Sequence, residues 1–185
     1  MNVQSTAGYL KSGETLREQF DRNITENRAF GYVTEAGIEA YFASDARVTL
    51  ANRLEELSGK TAAIVFGPGA YWLAGERRDA FLFLDVSREY QQIQHKKQLL
   101  NFGMSWNRDS VEKYKISYFV EWPILENYRK CIFQDIGFYV DMNNPEVPVF
   151  SAIQGMAEMI RNVAQSPLRV KPFFAPGVWG GGGNI

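Results

Sequence analysis

Four features of this chain could do chemistry: a lone histidine, a lone cysteine, a glycine-rich turn and a run of basic residues. Gly67-Pro68-Gly69 closes the apolar run Thr61–Phe66, which is where phosphate loops sit. A Walker-type loop is G-x-x-x-x-G-K-[ST]: glycines turn N–H groups to the phosphates, the lysine reaches the terminal phosphates and the hydroxyl holds magnesium. Gly67-Pro68-Gly69-Ala70-Tyr71-Trp72 has neither lysine nor hydroxyl. Its proline also lacks an N–H donor. The favoured reading is a strand-ending turn that uses glycine for backbone freedom.

His95 lies between Gln94 and Lys96 on a polar helix face, so a solvated side chain is expected. Zinc or iron sites gather two or three histidines with carboxylates, and one histidine does not supply that set. Cys131 sits in Tyr128-Arg129-Lys130-Cys131-Ile132-Phe133. Neighbouring cations favour a thiolate, but a buried, inert cysteine is the simpler expectation. No local pattern supports a Cys–His nucleophilic pair.

The middle of the chain is basic, with Arg77, Arg78, Arg88, Lys96, Lys97, Arg108, Lys113 and Lys115. Guanidinium and ammonium groups suit phosphate, and Arg77, Arg78, Arg88, Lys96 and Lys97 are the candidate ligand-binding set. The competing expectation is a solvated face balanced by Glu76, Asp79, Glu89, Asp109 and Glu112. Trp106, Tyr118, Phe119, Trp122 and Tyr128 are expected in the core, their spacing being too irregular for a base-stacking platform.

The elements that would position these residues follow from periodicity. Thr61–Phe66 and Ala80–Val86 are continuous apolar runs, which predict strands buried on both faces at the centre of one sheet. Residues 1–13 read as frayed. Leu16, Phe20 and Ile24 predict a helix over Glu14–Ile24. A second is expected from an N-cap at Thr34, with Ile38, Tyr41 and Phe42 inward. A third follows Asp45, with Val48, Leu50, Leu54 and Leu57 inward and Gly59 as its stop. Ser87 should cap a helix to about Phe102, and Trp106–Asp109 reads as a loop. Asp109–Ile116 reads as helix, Tyr118–Trp122 as strand, Pro123–Gln134 as helix and Phe138–Met142 as strand. Ser151 should cap a helix with Ile153, Met156, Ala157, Ile160, Val163 and Ala164 on one side. Leu168–Phe174 reads as a last strand before a Pro/Gly-rich tail. The alternation predicts an α/β fold with a mostly parallel sheet flanked by helices.

Bulk properties narrow the function classes. The chain has 185 residues, 45% hydrophobic and 14% aromatic, enough for one sizeable core. A formal net charge of −1 argues against a general nucleic-acid partner. One cysteine excludes an internal disulfide and fits a reducing compartment. No apolar run nears the roughly 20 residues of a membrane span, and no secretory pattern opens the chain. A cytoplasmic location is expected.

Two stretches carry a resemblance. One runs from Lys113-Tyr114-Lys115 through Tyr118-Phe119-Val120-Glu121-Trp122 to Asn127-Tyr128-Arg129-Lys130 and Phe138-Tyr139-Val140-Asp141. The other is Pro172-Phe173-Phe174-Ala175-Pro176-Gly177-Val178-Trp179-Gly180-Gly181. With Phe30-Gly31 and Phe66-Gly67-Pro68-Gly69-Ala70 in the same order, they resemble long bacterial class I mannose-6-phosphate isomerase-like proteins over roughly residues 10 to 181. There, a domain precedes a metal-dependent cupin isomerase domain.

The preceding domain is similar to uridine-kinase-like nucleotide kinases. The corresponding positions are Val65-Phe66-Gly67, Leu84-Asp85, and Arg88 with Lys96 and Lys97. The resemblance implies a degenerate kinase-like core over residues 1–170, with its phosphate loop upstream of residue 1. Residues 171–185 would be a linker and the first cupin segment. Zinc is expected only in the cupin domain, so this chain is expected to carry no cofactor and to lack isomerase activity alone. The expected role is accessory or regulatory, with the cupin isomerase domain or a second copy as partner. The alternative is a nucleotide- or sugar-phosphate-binding domain, a residual kinase. A third reading is an interaction module with Tyr114–Tyr128 at a dimer interface.

Overall fold

The structure, a computed structural model, describes residues 1–167 except Lys60, Gln98, Ser105, Trp106 and Arg108. The predicted strand Leu168–Phe174, the segment Pro172–Gly181, and Arg108 and Trp106 lie outside the described residues. The chain is mixed α/β and about half helical. It divides into two compact units, residues 1–79 with 100–132, and residues 80–99 with 133–185.

In the first unit, residues 1–13 are not frayed. Asn2–Ser5 forms β1, paired parallel with β2, Ala63–Phe66, with Asn2 opposite Ala63 and Ser5 opposite Phe66. A 3-10 turn, Thr6–Tyr9, leads on, and Leu10 bridges to Phe42. The predicted first helix is α1, Gly13–Ile24. Ser12 caps it, Oγ accepting from the Thr15 N–H at 3.1 Å, and Glu14 suits the positive end of its dipole. Leu16 and Phe20, one turn apart, are fully buried.

No helix starts at Thr34. Its Oγ1 accepts from the Ala36 N–H at 3.2 Å, a local turn, and only a 3-10 turn, Ile38–Tyr41, forms after Gly37. Helix α2, Ala46–Leu57, follows Asp45 as expected, although that carboxylate takes the Thr49 hydroxyl rather than a backbone N–H. Leu50 faces inward but Val48 is exposed, because residues two apart do not share a helix face. Five-residue α3, Ala70–Ala74, follows the glycine turn.

Helix α5, Ser110–Ile116, starts where predicted, with Asp109 Oδ1 accepting from Glu112 N–H at 2.9 Å. The predicted strand Tyr118–Trp122 is instead a π-helical turn, Ser117–Glu121, leading directly into α6, Trp122–Ile132. Pro123 supplies the reason. It has no N–H for the Phe119 carbonyl, and its ring crowds that carbonyl. The widened turn makes room, and Thr34 N–H bonds the freed Phe119 oxygen at 2.9 Å. The core of this unit gathers Leu16, Phe20, Ile38, Tyr41, Phe42, Ala46, Leu50, Leu73, Met104, Ile116, Val120 and Ile124.

The second unit holds a mixed sheet. Strand β3, Leu82–Asp85, pairs parallel with β4, Phe138–Asp141, and β4 pairs antiparallel with β5, Val149–Ala152. The two apolar runs therefore join different sheets, and neither is buried on both faces: Ile64, Phe66, Leu82 and Leu84 are exposed. The sheets are two- and three-stranded, parallel only in part. Helix α4, Arg88–Lys97, is capped by Ser87, whose Oγ accepts from Tyr90 N–H at 3.2 Å. Ser151 does not cap the last helix. It lies within β5, and α7, Ile153–Ala164, starts straight after that strand.

Candidate functional site

A buried polar cluster lies inside the first unit, around the π-helical turn. Glu121 is buried within an apolar stretch. Its Oε2 accepts from Asn101 Nδ2 at 2.6 Å and Ser117 Oγ at 2.8 Å, and its Oε1 from the Phe102 N–H. Three donors fill most of the acceptor positions of this carboxylate. Asn101 also reaches the Lys113 carbonyl at 3.2 Å, and its Oδ1 accepts from Asn107 Nδ2. Two polar atoms here are left over. Tyr41 Oη, on a residue 1% exposed, and Asn107 Oδ1, on one 0% exposed, have no hydrogen-bond partner. Burial, with the Glu121 charge added, holds the Tyr41 phenol well above its ordinary range.

The sequence assigned no site role to Tyr41, Asn101, Asn107 or Glu121. The available signal was Glu121 itself, an acid between Val120 and Trp122 in an apolar helical stretch.

The glycine turn is structural. Gly67 has φ +116° and Gly69 φ +78°. A Cβ on Gly69 would stand 2.6 Å from the Phe42 ring, and one on Gly67 would strike Thr6 Oγ1. These glycines admit neighbouring side chains rather than a ligand.

The five basic candidates do not converge within one unit. Arg77 and Arg78 belong to the first, and Arg88, Lys96 and Lys97 to the second. Arg77 pairs with Glu55 at 3.0 Å. Arg78 lies over the Tyr71 ring at 3.8 Å, donates to its hydroxyl at 2.7 Å and to the Gly75 carbonyl. Arg88 donates to Gln91 Oε1 at 3.1 Å, and Lys96 and Lys97 are exposed at the end of α4.

Lys113 and Lys115 are buried, against the expectation of a solvated face. Lys115 Nζ donates to the Thr25 carbonyl at 2.9 Å and to that of Asn27, tying down the end of α1, and burial lowers its pKa. His95 is buried too, with Nδ1 3.1 Å from the Leu99 carbonyl oxygen. Cys131 is exposed and free rather than buried. Of the aromatic set, Phe119 and Tyr128 pack against the core, whereas Tyr118 is exposed.

The first unit also has two open grooves. One, of 710 Å³, is lined by Arg22, Asn23, Tyr32, Val33, Thr34, Glu35 and Ala36. In it Asn23 Nδ2 is already engaged with the Tyr32 carbonyl at 3.0 Å. The other, of 210 Å³, flanks Lys115. Among the described residues no group of three or more His, Cys, Asp or Glu is placed to hold a metal ion, and no helix is long and apolar enough to cross a membrane.

Fold and side chains together define a mixed α/β protein with small parallel and mixed sheets and a buried polar cluster. The chain belongs to the family described as Domain of unknown function (DUF8485), which it matches over residues 1–165. No curated protein and no solved structure matches it.

Proposed function

We propose that the chain is an accessory domain, not catalytic alone, that docks through the apolar surface of its second unit. One observation carries this reading. Residues in register share a sheet face, so Leu82, Leu84, Phe138 and Phe150 lie together on β3, β4 and β5, around the buried Val140. Leu82, Leu84, Phe138 and Phe150 are 47%, 59%, 49% and 61% exposed. On α7, Met159, Ile160 and Val163 are each more than half or half exposed, and no residue of that helix is buried. Exposed apolar side chains grouped on one sheet face point to an interaction site.

The partner we propose is the cupin isomerase domain of mannose-6-phosphate isomerase-like proteins, with this chain as the degenerate kinase-like domain before it. The motif order from Phe30-Gly31 to Trp179-Gly180-Gly181 supports that choice. In sedimentation, the full chain should bind a zinc-loaded cupin isomerase domain added in trans, and Phe150→Asp should abolish the complex. The chain alone with zinc should not interconvert mannose and fructose 6-phosphates. Turnover by the chain alone, or no complex in either form, would sink the reading. Calorimetry with nucleoside triphosphates and mannose 6-phosphate should show no heat. Micromolar binding lost in Arg88→Ala would favour a residual phosphate-binding domain instead.

A further inference from the structure

We propose that the groove between the end of α1 and residues 32–36 takes an extended peptide of a partner protein as an added strand. Backbone pairing shows which side of that segment is open. Tyr32 N–H donates to the Asn23 carbonyl at 2.8 Å, and Asn23 Nδ2 donates back to the Tyr32 carbonyl at 3.0 Å. Thr34 N–H donates to the Phe119 carbonyl at 2.9 Å. Alternate residues thus bond inward, the pattern of an extended chain, and Val33 between them presents its backbone to the other side. Among the described residues neither the Val33 N–H nor the Glu35 N–H has a hydrogen-bond partner. Open backbone groups along an extended chain are a template for another strand.

The segment lacks regular secondary structure, yet it is tied down. Gly31 has no Cβ to strike the Asn23 carbonyl, so the chain runs close beside α1. Thr25 Oγ1 donates to the Phe30 carbonyl at 2.8 Å, and Lys115 Nζ holds the Thr25 and Asn27 carbonyls. This held backbone carries Phe30, Tyr32 and Val33 at 71%, 72% and 57% exposed. Apolar side chains held out in water beside a groove of 710 Å³ suit docking, and a backbone ordered beforehand lowers the entropy cost of binding.

Charge selects the kind of occupant. Arg22 and Glu35 line the same groove, both exposed, and neither has an ion-pair partner among the described residues. A complementary peptide brings one acidic and one basic side chain to them, with apolar residues against Tyr32 and Val33. A nucleic acid would set its phosphates against Glu35. The groove belongs to the first unit, and peptide binding there does not depend on the docking proposed for the second.

The full chain is screened against random decapeptides displayed on phage, and the enriched peptides are synthesised for calorimetry. They should place apolar residues between one acidic and one basic side chain. Val33→Pro removes the open N–H and no bond within the fold, so it should weaken binding by about tenfold or more with an unchanged melting temperature. Methylating one alternate set of peptide amides should weaken binding similarly, and methylating the other set should not. Exchanging the acidic residue of the peptide for lysine should cost about tenfold, and Arg22→Glu should restore the loss. No enrichment, equal affinity for Val33→Pro, or no response to the charge exchange would each overturn the proposal. So would a dimer in sedimentation that Val33→Pro dissolves, which would assign the open edge to a second copy of the chain.

Discussion

Tyr128 shows how one hydroxyl couples a helix to a turn. Its oxygen accepts the Trp72 N–H at 3.0 Å, joining α6 to α3. Burial pushes the phenol up to about 12 from 10.0; the Trp72 bond and Arg78 act the other way, and Tyr71 adds to the rise. The folded state therefore holds this proton more tightly than the unfolded chain. Its contribution is complete below pH 10 and is lost as pH rises from about 10 to about 12. Urea titrations across that window should show falling stability, with Tyr128→Phe flattening the fall. At neutral pH the same variant should cost about 1–2 kcal/mol, because Trp72 N–H is orphaned. Neither this bond nor the Glu121 cluster was legible in the sequence. Each joins residues far apart along the chain, and periodicity reports only near neighbours. His95, Lys113 and Lys115 misled for a related reason: a polar side chain reads as solvated until its distant acceptor is known.

The helix carrying Leu16 and Phe20 at spacing four was legible, and so was the short helix at Asp109–Ile116. The π-helical turn was not, since Tyr-Phe-Val is also a strand's composition. What decided the outcome was Pro123 together with Thr34, which takes the carbonyl that proline leaves free. The glycine turn was read correctly as structural, but its cause, Phe42, is far away in sequence. Gly69→Ala should thus cost about 3 kcal/mol or more, combining a left-handed backbone with a ring clash. Gly59→Ala, at φ +69° with nothing within 4 Å, should cost only about 1 kcal/mol. Chemical denaturation of the two variants would separate strain from crowding.

Across the whole molecule, burial is uneven. Nearly all fully buried apolar side chains belong to the first unit; in the second, Ile136 and Val140 are the buried ones among the described residues. Local opening is easiest where few apolar contacts are buried. Amide exchange in the free chain should therefore be faster in α7 and β5 than in α1 and α6, and slow when the apolar surface is covered. The α/β class was legible from alternating patterns, but the division into two units was not. Continuous apolar runs look alike whether a strand lies at a sheet centre or presents a face to water. That division also bears on synthesis. The first unit is interrupted after Asp79 and resumes only at Leu100, and its core needs Ile116, Val120 and Ile124 against Leu16 and Phe20. On a ribosome adding about 5–20 residues per second, the amino-terminal segment waits several seconds for those partners. Half-made chains would thus be a chaperone's substrate, and no truncation between residues 80 and 132 would leave either unit whole.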